Sequence, residues 1–168
     1  MDLGKEKQLS IIVAVAQNYA IGLNNQLLWH ISEDFKWFKS KTSGNTVIMG
    51  KNTYYSLPKR PLPNRRNIVI SDIAGEQIEG CEMAYSIDEA ITLADFDKEN
   101  FIIGGASIYR QFFYKVQKLY ITWINKDFEA DTFFPEIKSD EWELSFSKAQ
   151  EEIHPLSLEY TFNIYTKK

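Results

Sequence analysis

The chain has 168 residues, about one domain in length, and its 44% apolar and 25% charged content excludes an intrinsically disordered polymer. Eight glycines and five prolines are scattered without period, which excludes collagen-like and low-complexity chains. A net charge of −4, from 19 Lys and Arg against 23 Asp and Glu, argues against a nucleic-acid binder, which draws most of its affinity from neutralising phosphates.

The N-terminal stretch Met1 to Lys7 is polar and lacks the apolar centre of a secretory signal. Leu9 to Ala16 is a nearly continuous apolar run, β-branched in its middle, and predicts a strand buried on both faces. Ile31 to Lys39 predicts a helix with Ser32 as its N-cap and Glu33 and Asp34 in the first turn, where the helix dipole favours acids. Its apolar stripe is Ile31, Phe35 and Phe38, and Asp34 falls inside that stripe. A carboxylate facing an apolar surface is costly without a partner. The residues leave two readings open: a functional carboxylate held in a pocket, or a helix-start acid with its head in water.

Thr46 to Met49 predicts a second buried strand, followed by Gly50-Lys51-Asn52-Thr53 at a helix start, a suitable place for a phosphate. A phosphate-loop nucleotidase fails on spacing, because Gly44 to Gly50 is one residue too long and Thr53 lies one residue too far from Lys51. Lys59 to Arg66 is a basic, proline-punctuated loop that either meets a small anion or is simply solvated. Asn67 to Ile70 repeats the strand character. Ser86 to Glu89 has capping-box spacing, and Ile87, Ala90, Ile91 and Ala94 continue it as a helix. Phe101 to Ile103 predicts another strand, and Gly104-Gly105 opens the next helix without the glycine order of the Rossmann fingerprint.

Near the C-terminus the period changes to two. Trp142, Leu144 and Phe146 alternate with polar residues, as do Leu158, Tyr160, Phe162 and Ile164. These runs predict an antiparallel hairpin at a sheet edge. The fold class is therefore α/β, a mostly parallel central sheet flanked by helices with that hairpin at its edge, in one domain spanning residues 1–168. The single Cys81 cannot form an internal disulfide, and no apolar run approaches the ~18–20 residues of a membrane span, so a cytoplasmic protein is expected. His30 and His154, distant in sequence, read as structural, and no ligand set for a metal is present.

With these segments placed, the chain resembles the dihydrofolate reductase family from Leu9 to the C-terminal hairpin. The matching motifs are Ala20-Ile21-Gly22, Leu28-Trp29-His30, Asp34 to Lys39, Val47 to Thr53, Leu57, Pro61 to Ser71, Ile103 to Ala106, Leu119 to Thr122 and Asp131 to Pro135. The resemblance implies hydride transfer from NADPH to C6 of dihydrofolate, with protonation at N5. It implies that Asp34 binds the pterin, supported by Thr122 and by a water near Trp29. Ile12, Phe35, Phe38, Leu57, Leu62 and Ile103 would wall the pocket. Arg65, assisted by Arg60, would hold the α-carboxylate of the glutamate tail, a two-pronged match that Lys does not reproduce.

On the cofactor side the resemblance implies Ala14, Ile21 and Gly22 at the nicotinamide, and Gly50, Lys51, Asn52, Thr53 and Ser71 at the phosphates. Gly104, Gly105, Ala106, Ser107, Ile108 and Tyr109 would complete the cleft, with a cis peptide between the two glycines. The chain departs from the usual family pattern at four positions. Leu28 and Ser32 stand where proline is common, Asp72 follows Ser71 beside the expected ribose phosphate, and Ser107 stands where some members carry Arg. An acid at Asp72 would oppose NADPH preference. A monomer with no nucleic-acid or membrane partner is expected. Competing readings are another NADPH-dependent pterin or pyrimidine reductase of the same fold, and a folate-binding module without turnover.

Overall fold

The computed structural model describes residues 6–23 and 28–168; the polar residues 1–5 and the centre of the Asn18–Leu28 loop lie outside the described residues. In chain order the elements are β1 (Leu9–Ala16), β2 (Ala20–Gly22), α1 (Ser32–Thr42), β3 (Thr46–Gly50), α2 (Lys51–Ser56), β4 (Arg66–Ile70) and β5 (Glu82–Ala84). They continue with α3 (Ile87–Leu93), β6 (Asn100–Gly104), α4 (Ala106–Phe112), β7 (Lys118–Ile124), β8 (Thr132–Phe133), β9 (Trp142–Ala149) and β10 (Tyr160–Lys167). The main sheet has eight strands in the order β5-β4-β3-β6-β1-β7-β10-β9, and β2 pairs with β8 in a small second sheet. Pairing is parallel from β5 through to β7 and antiparallel at β7–β10 and β10–β9.

The apolar runs sit in the middle of this sheet, where both faces are covered, and the strand period of two divides each run between the faces. Ile11, Val15, Ile48, Ile68, Ile102, Leu119 and Ile121 belong to one cluster, closed by Ala90 of α3 and by Tyr109 and Phe112 of α4. Ile12, Val47, Met49, Val69, Phe101, Ile103 and Tyr120 face the other way, under Trp37 and Phe38 of α1 and Tyr54 of α2. Ser86 caps α3 by accepting the Glu89 backbone N–H at 3.0 Å, while the Glu89 carboxylate accepts the Tyr85 N–H at 3.2 Å. Helix α3 therefore starts where its capping-box spacing places it.

Two local expectations are corrected. Helix α1 has Ile31, not Ser32, at its N-cap, with no side-chain cap. Ile31 is 1% exposed, and this apolar anchor sets the helix entry one residue earlier than the hydroxyl would. In β9 the expected alternation does not keep Trp142, Leu144 and Phe146 on one face. Leu144 pairs with Tyr165 and Phe146 with Ile164, so Ser145 is the extra residue of a β-bulge. Trp142 therefore packs on Phe113, with ring centroids 5.5 Å apart, whereas Phe146 stacks on Trp37 of α1 at 6.0 Å, across the sheet.

Candidate active site

The cleft begins where α1 crosses the face of β1 and β7. Thr122 of β7 lies opposite Ala14 of β1, between Ile121 and Trp123, which belong to the other face. Its hydroxyl thus points toward α1, and Thr122 Oγ1 donates to Asp34 Oδ1 at 2.5 Å. Burial pushes the Asp34 carboxyl up from its ordinary 3.8 to about 6, against the opposing pull of the Thr122 hydrogen bond. Asp34 is therefore turned into the cleft rather than spent on the helix N-terminus.

Around this pair, Ile12 and Ile103 are buried, and Phe38, Leu57 and Leu62 pack against the same cluster. Phe35, on the same face of α1, is 47% exposed, with its ring 4.9 Å from that of His30. Trp29 packs in a neighbouring cluster with Ile31 and Ile124, its ring 5.1 Å from that of Phe128. The buried Tyr109 hydroxyl donates to the Ile12 carbonyl at 3.2 Å, tying α4 to the central strand. Burial and the nearby Asp34 charge both push that phenol upward, so it stays protonated.

The basic loop is built by Asn67, a 3% exposed residue at the start of β4. Its side-chain oxygen accepts the Leu62 N–H, and its amide donates to the Leu62 and Arg65 carbonyls, each at 3.0 Å. Arg65 then donates Nε to the Pro63 carbonyl at 2.9 Å and Nη1 to Thr42 Oγ1 at 3.0 Å, over the Phe38 ring. Two of its five N–H donors are so committed, and the guanidinium plane is fixed beside the cleft. Arg60 is held elsewhere, with Nη1 on the Tyr55 carbonyl at 2.7 Å and its guanidinium over the exposed Tyr55 ring.

Across the sheet, the two strand–glycine–helix junctions abut, because β3 and β6 are neighbours. A Cβ on Gly50 would sit 3.2 Å from Ile108 Cγ1, and one on Gly104 would sit 3.1 Å from Thr53 Oγ1. The Gly104–Gly105 peptide is cis, as expected. Gly104 has φ +128°, a conformation that L side chains rarely adopt, while a Cβ on Gly105 would meet only Thr53 Oγ1 at 3.5 Å. Gly104→Ala should therefore lower stability by ~1–3 kcal/mol in thermal unfolding, and Gly105→Ala by clearly less. Equal losses would show that the dihedral does not matter there.

Beside these junctions Ala14 and Gly22 are half-buried and Ile21 is buried, with Gly22 paired to Thr132 of β8. Asn52 is exposed, Ala106 is half-buried, and Ser107 Oγ accepts from Gln111 Nε2 at 3.0 Å. Lys51 Nζ lies 3.1 Å from Glu76 Oε1, and the Ser71 hydroxyl donates to the same oxygen. Asp72 is exposed. The acid that meets Lys51 and Ser71 is thus Glu76. Among the described residues no group of three or more His, Cys, Asp and Glu is placed to hold a metal ion, and no helix is long and apolar enough to cross a membrane.

A family profile described as dihydrofolate reductase matches residues 8–167. The chain belongs to the dihydrofolate reductase family. A dihydrofolate reductase of Buchnera aphidicola subsp. Acyrthosiphon pisum is 41% identical over 160 residues, covering 95% of this chain and 99% of the relative. That of Bacillus subtilis is 37% identical, covering 95% of each. Among solved structures, dihydrofolate reductase from Enterococcus faecalis, complexed with NADP(H) and RAB-propyl, superposes with a TM-score of 0.85 at 32% identity over 96% of both chains.

Within this dihydrofolate reductase framework, three residues with evident roles were not anticipated. Thr42 and Asn67 hold Arg65 and its loop, and Glu76 engages Lys51 and Ser71. Asn67 carries a sequence signal, since an Asn opening an otherwise apolar strand usually serves through side-chain bonds to backbone. His154 Nε2 lies 2.9 Å from the His30 backbone carbonyl, a contact that spans 124 residues of sequence.

Proposed function

We propose that this chain reduces dihydrofolate to tetrahydrofolate with NADPH. The observation that carries the reading is the Asp34–Thr122 pair, a carboxylate of raised pKa set in an otherwise apolar cleft. A carboxylate so placed accepts two N–H donors from a planar heterocycle, as the N3 and 2-amino groups of a pterin offer. Thr122 occupies one lone pair of Oδ1 and fixes the carboxylate plane. Ile12, Phe38, Leu57, Leu62 and Ile103 exclude water from the ring faces, and Arg65 pairs with the α-carboxylate of the glutamate tail. Trp29 closes the end of the cleft beside α1.

The dinucleotide fits the glycine junctions. The close approach of Gly50 to Ile108, and of Gly104 to Thr53, forms a cradle that Cβ atoms would fill. Ala14, Ile21 and Gly22 face its nicotinamide end, and Lys51, Asn52, Thr53 and Ser71 its phosphates. When bound, NADPH supplies the hydride that adds to C6. Cys81 packs against the cleft cluster beside the β5 edge of the sheet, with its thiol pushed up by burial, and does not serve as an acid for N5. Water therefore delivers the N5 proton, while ionised Asp34 polarises the ring to receive it. The reading extends to a single-domain, cytoplasmic monomer. One eight-stranded sheet that takes in strands from both ends of the chain, and a free Cys81, support it, and sedimentation of the purified chain tests the oligomeric state.

Mixing the protein with dihydrofolate and NADPH and following loss of the reduced-nicotinamide absorbance tests the function. Turnover with dihydrofolate is expected. Turnover only with another pterin or a pyrimidine would favour a different reductase, and binding without turnover would leave a folate-binding module.

A further inference from the structure

Lys51 and Ser71 leave the sheet side by side, because Gly50 of β3 pairs with Ile70 of β4. Glu76 fills the space between them. Lys51 Nζ is 3.1 Å from its Oε1 and 3.3 Å from its Oε2, and the Ser71 hydroxyl donates to Oε1. The loop that carries Glu76 is folded to keep it there. The Ile73 N–H donates to Ser71 Oγ at 3.0 Å, the Glu76 N–H to the Ile73 carbonyl at 3.2 Å, and the Tyr85 hydroxyl to the Glu76 carbonyl at 2.7 Å. The Ser71 hydroxyl and the Lys51 charge both hold the carboxyl below its ordinary range, so it is ionised at neutral pH.

A cation and a hydroxyl converging on one point form a natural seat for a phosphate monoester. Here the chain already supplies an anion at that point. A carboxylate beside a ribose has the opposite preference: it accepts a hydrogen bond from a free 2′-hydroxyl and repels a 2′-phosphate. We propose that Glu76 sets the ribose selectivity of the cofactor site, occupying the contacts that a 2′-phosphate would make and thereby narrowing the preference for NADPH over NADH. This rests on the reading of the site as an NADPH-dependent reductase. NADPH gains Lys51 and Ser71 only by displacing a carboxylate already bonded to both, whereas NADH leaves that triad in place.

Calorimetric titration of the full chain with NADPH and with NADH tests this without reference to turnover. In Glu76→Gln, which keeps the side-chain size, and in Glu76→Ala, the ratio of NADPH to NADH affinity should rise roughly tenfold or more, mainly through tighter NADPH binding. Asp72→Ser removes a neighbouring exposed charge and should move the ratio far less. An unchanged ratio in both Glu76 variants, or an equal rise in Asp72→Ser, would overturn the assignment and leave Glu76 as a surface partner of Lys51. If neither dinucleotide binds the unmodified chain, the reductase reading fails and this assignment falls with it, a result distinct from binding with an unaltered ratio.

Discussion

Asp34→Asn should slow single-turnover hydride transfer at neutral pH by ~10²–10⁴, the usual cost of losing a group that assists proton transfer. Asn preserves the size of the side chain and an acceptor for the Thr122 hydroxyl, so dihydrofolate binding should survive better than the chemical step. The deficit should shrink as pH falls, because substrate protonated in solution no longer needs the carboxylate. Near-wild-type speed at neutral pH would reduce Asp34 to a helix-start acid.

The same substitution should stabilise the protein. Between the ordinary 3.8 of its carboxyl and about 6, the folded chain holds a proton that the unfolded chain has released. Stability therefore falls as pH rises through that window and stays lowered above it. At ~1.4 kcal/mol per unit, and allowing for the open side of the cleft, removing the charge should recover about 2–3 kcal/mol at neutral pH and almost nothing near pH 4. Thermal unfolding of both proteins across this range checks the sign. A variant that loses both activity and stability at neutral pH would mean that the carboxylate contributes to the fold rather than burdening it.

The second large effect belongs to Arg65. Arg65→Lys keeps the charge but loses the planar fork and the Thr42 and Pro63 contacts that aim it. Hydrogen bonds to charged groups contribute ~1.5–3 kcal/mol, so KM for dihydrofolate should rise about ten- to a hundredfold. Because the glutamate tail is remote from C6, kcat should hardly change, the pattern of lost uniform binding. An unchanged KM would mark the basic loop as merely solvated.

The central strands were legible because burial on both faces demands a continuous apolar run, and β1, β3, β4 and β6 all carry one. The helix-start acid was also visible as an anomaly in the Ile31–Phe35–Phe38 stripe, although its partner Thr122, on β7, was placed only by family resemblance. What escaped was set by tertiary partners. The bulge at Ser145 depends on the pairing of β9 with β10, and nothing in the alternation of β9 announces it. Phe35 falls in the apolar stripe yet is half-exposed, because periodicity tells which way a residue faces but not whether a sheet or an open cleft lies opposite. Sequence proximity puts Asp72, next to Ser71, near the expected ribose phosphate, whereas the loop folds back to set Glu76 against Lys51 and Ser71.

The position of β1 in the middle of the sheet also gives the chain a timetable. Ser10 lies beside Phe101 of β6 and Lys118 of β7, so both neighbours of the first strand are encoded about a hundred residues later. At ~5–20 residues synthesised per second, that delay lasts roughly five to twenty seconds. Until it ends, Ile11, Ile12, Val13 and Val15 have neither permanent neighbour. Exposed apolar surface of that kind makes a folding intermediate prone to aggregate. Overproduction should therefore deposit the chain in aggregates seeded by β1.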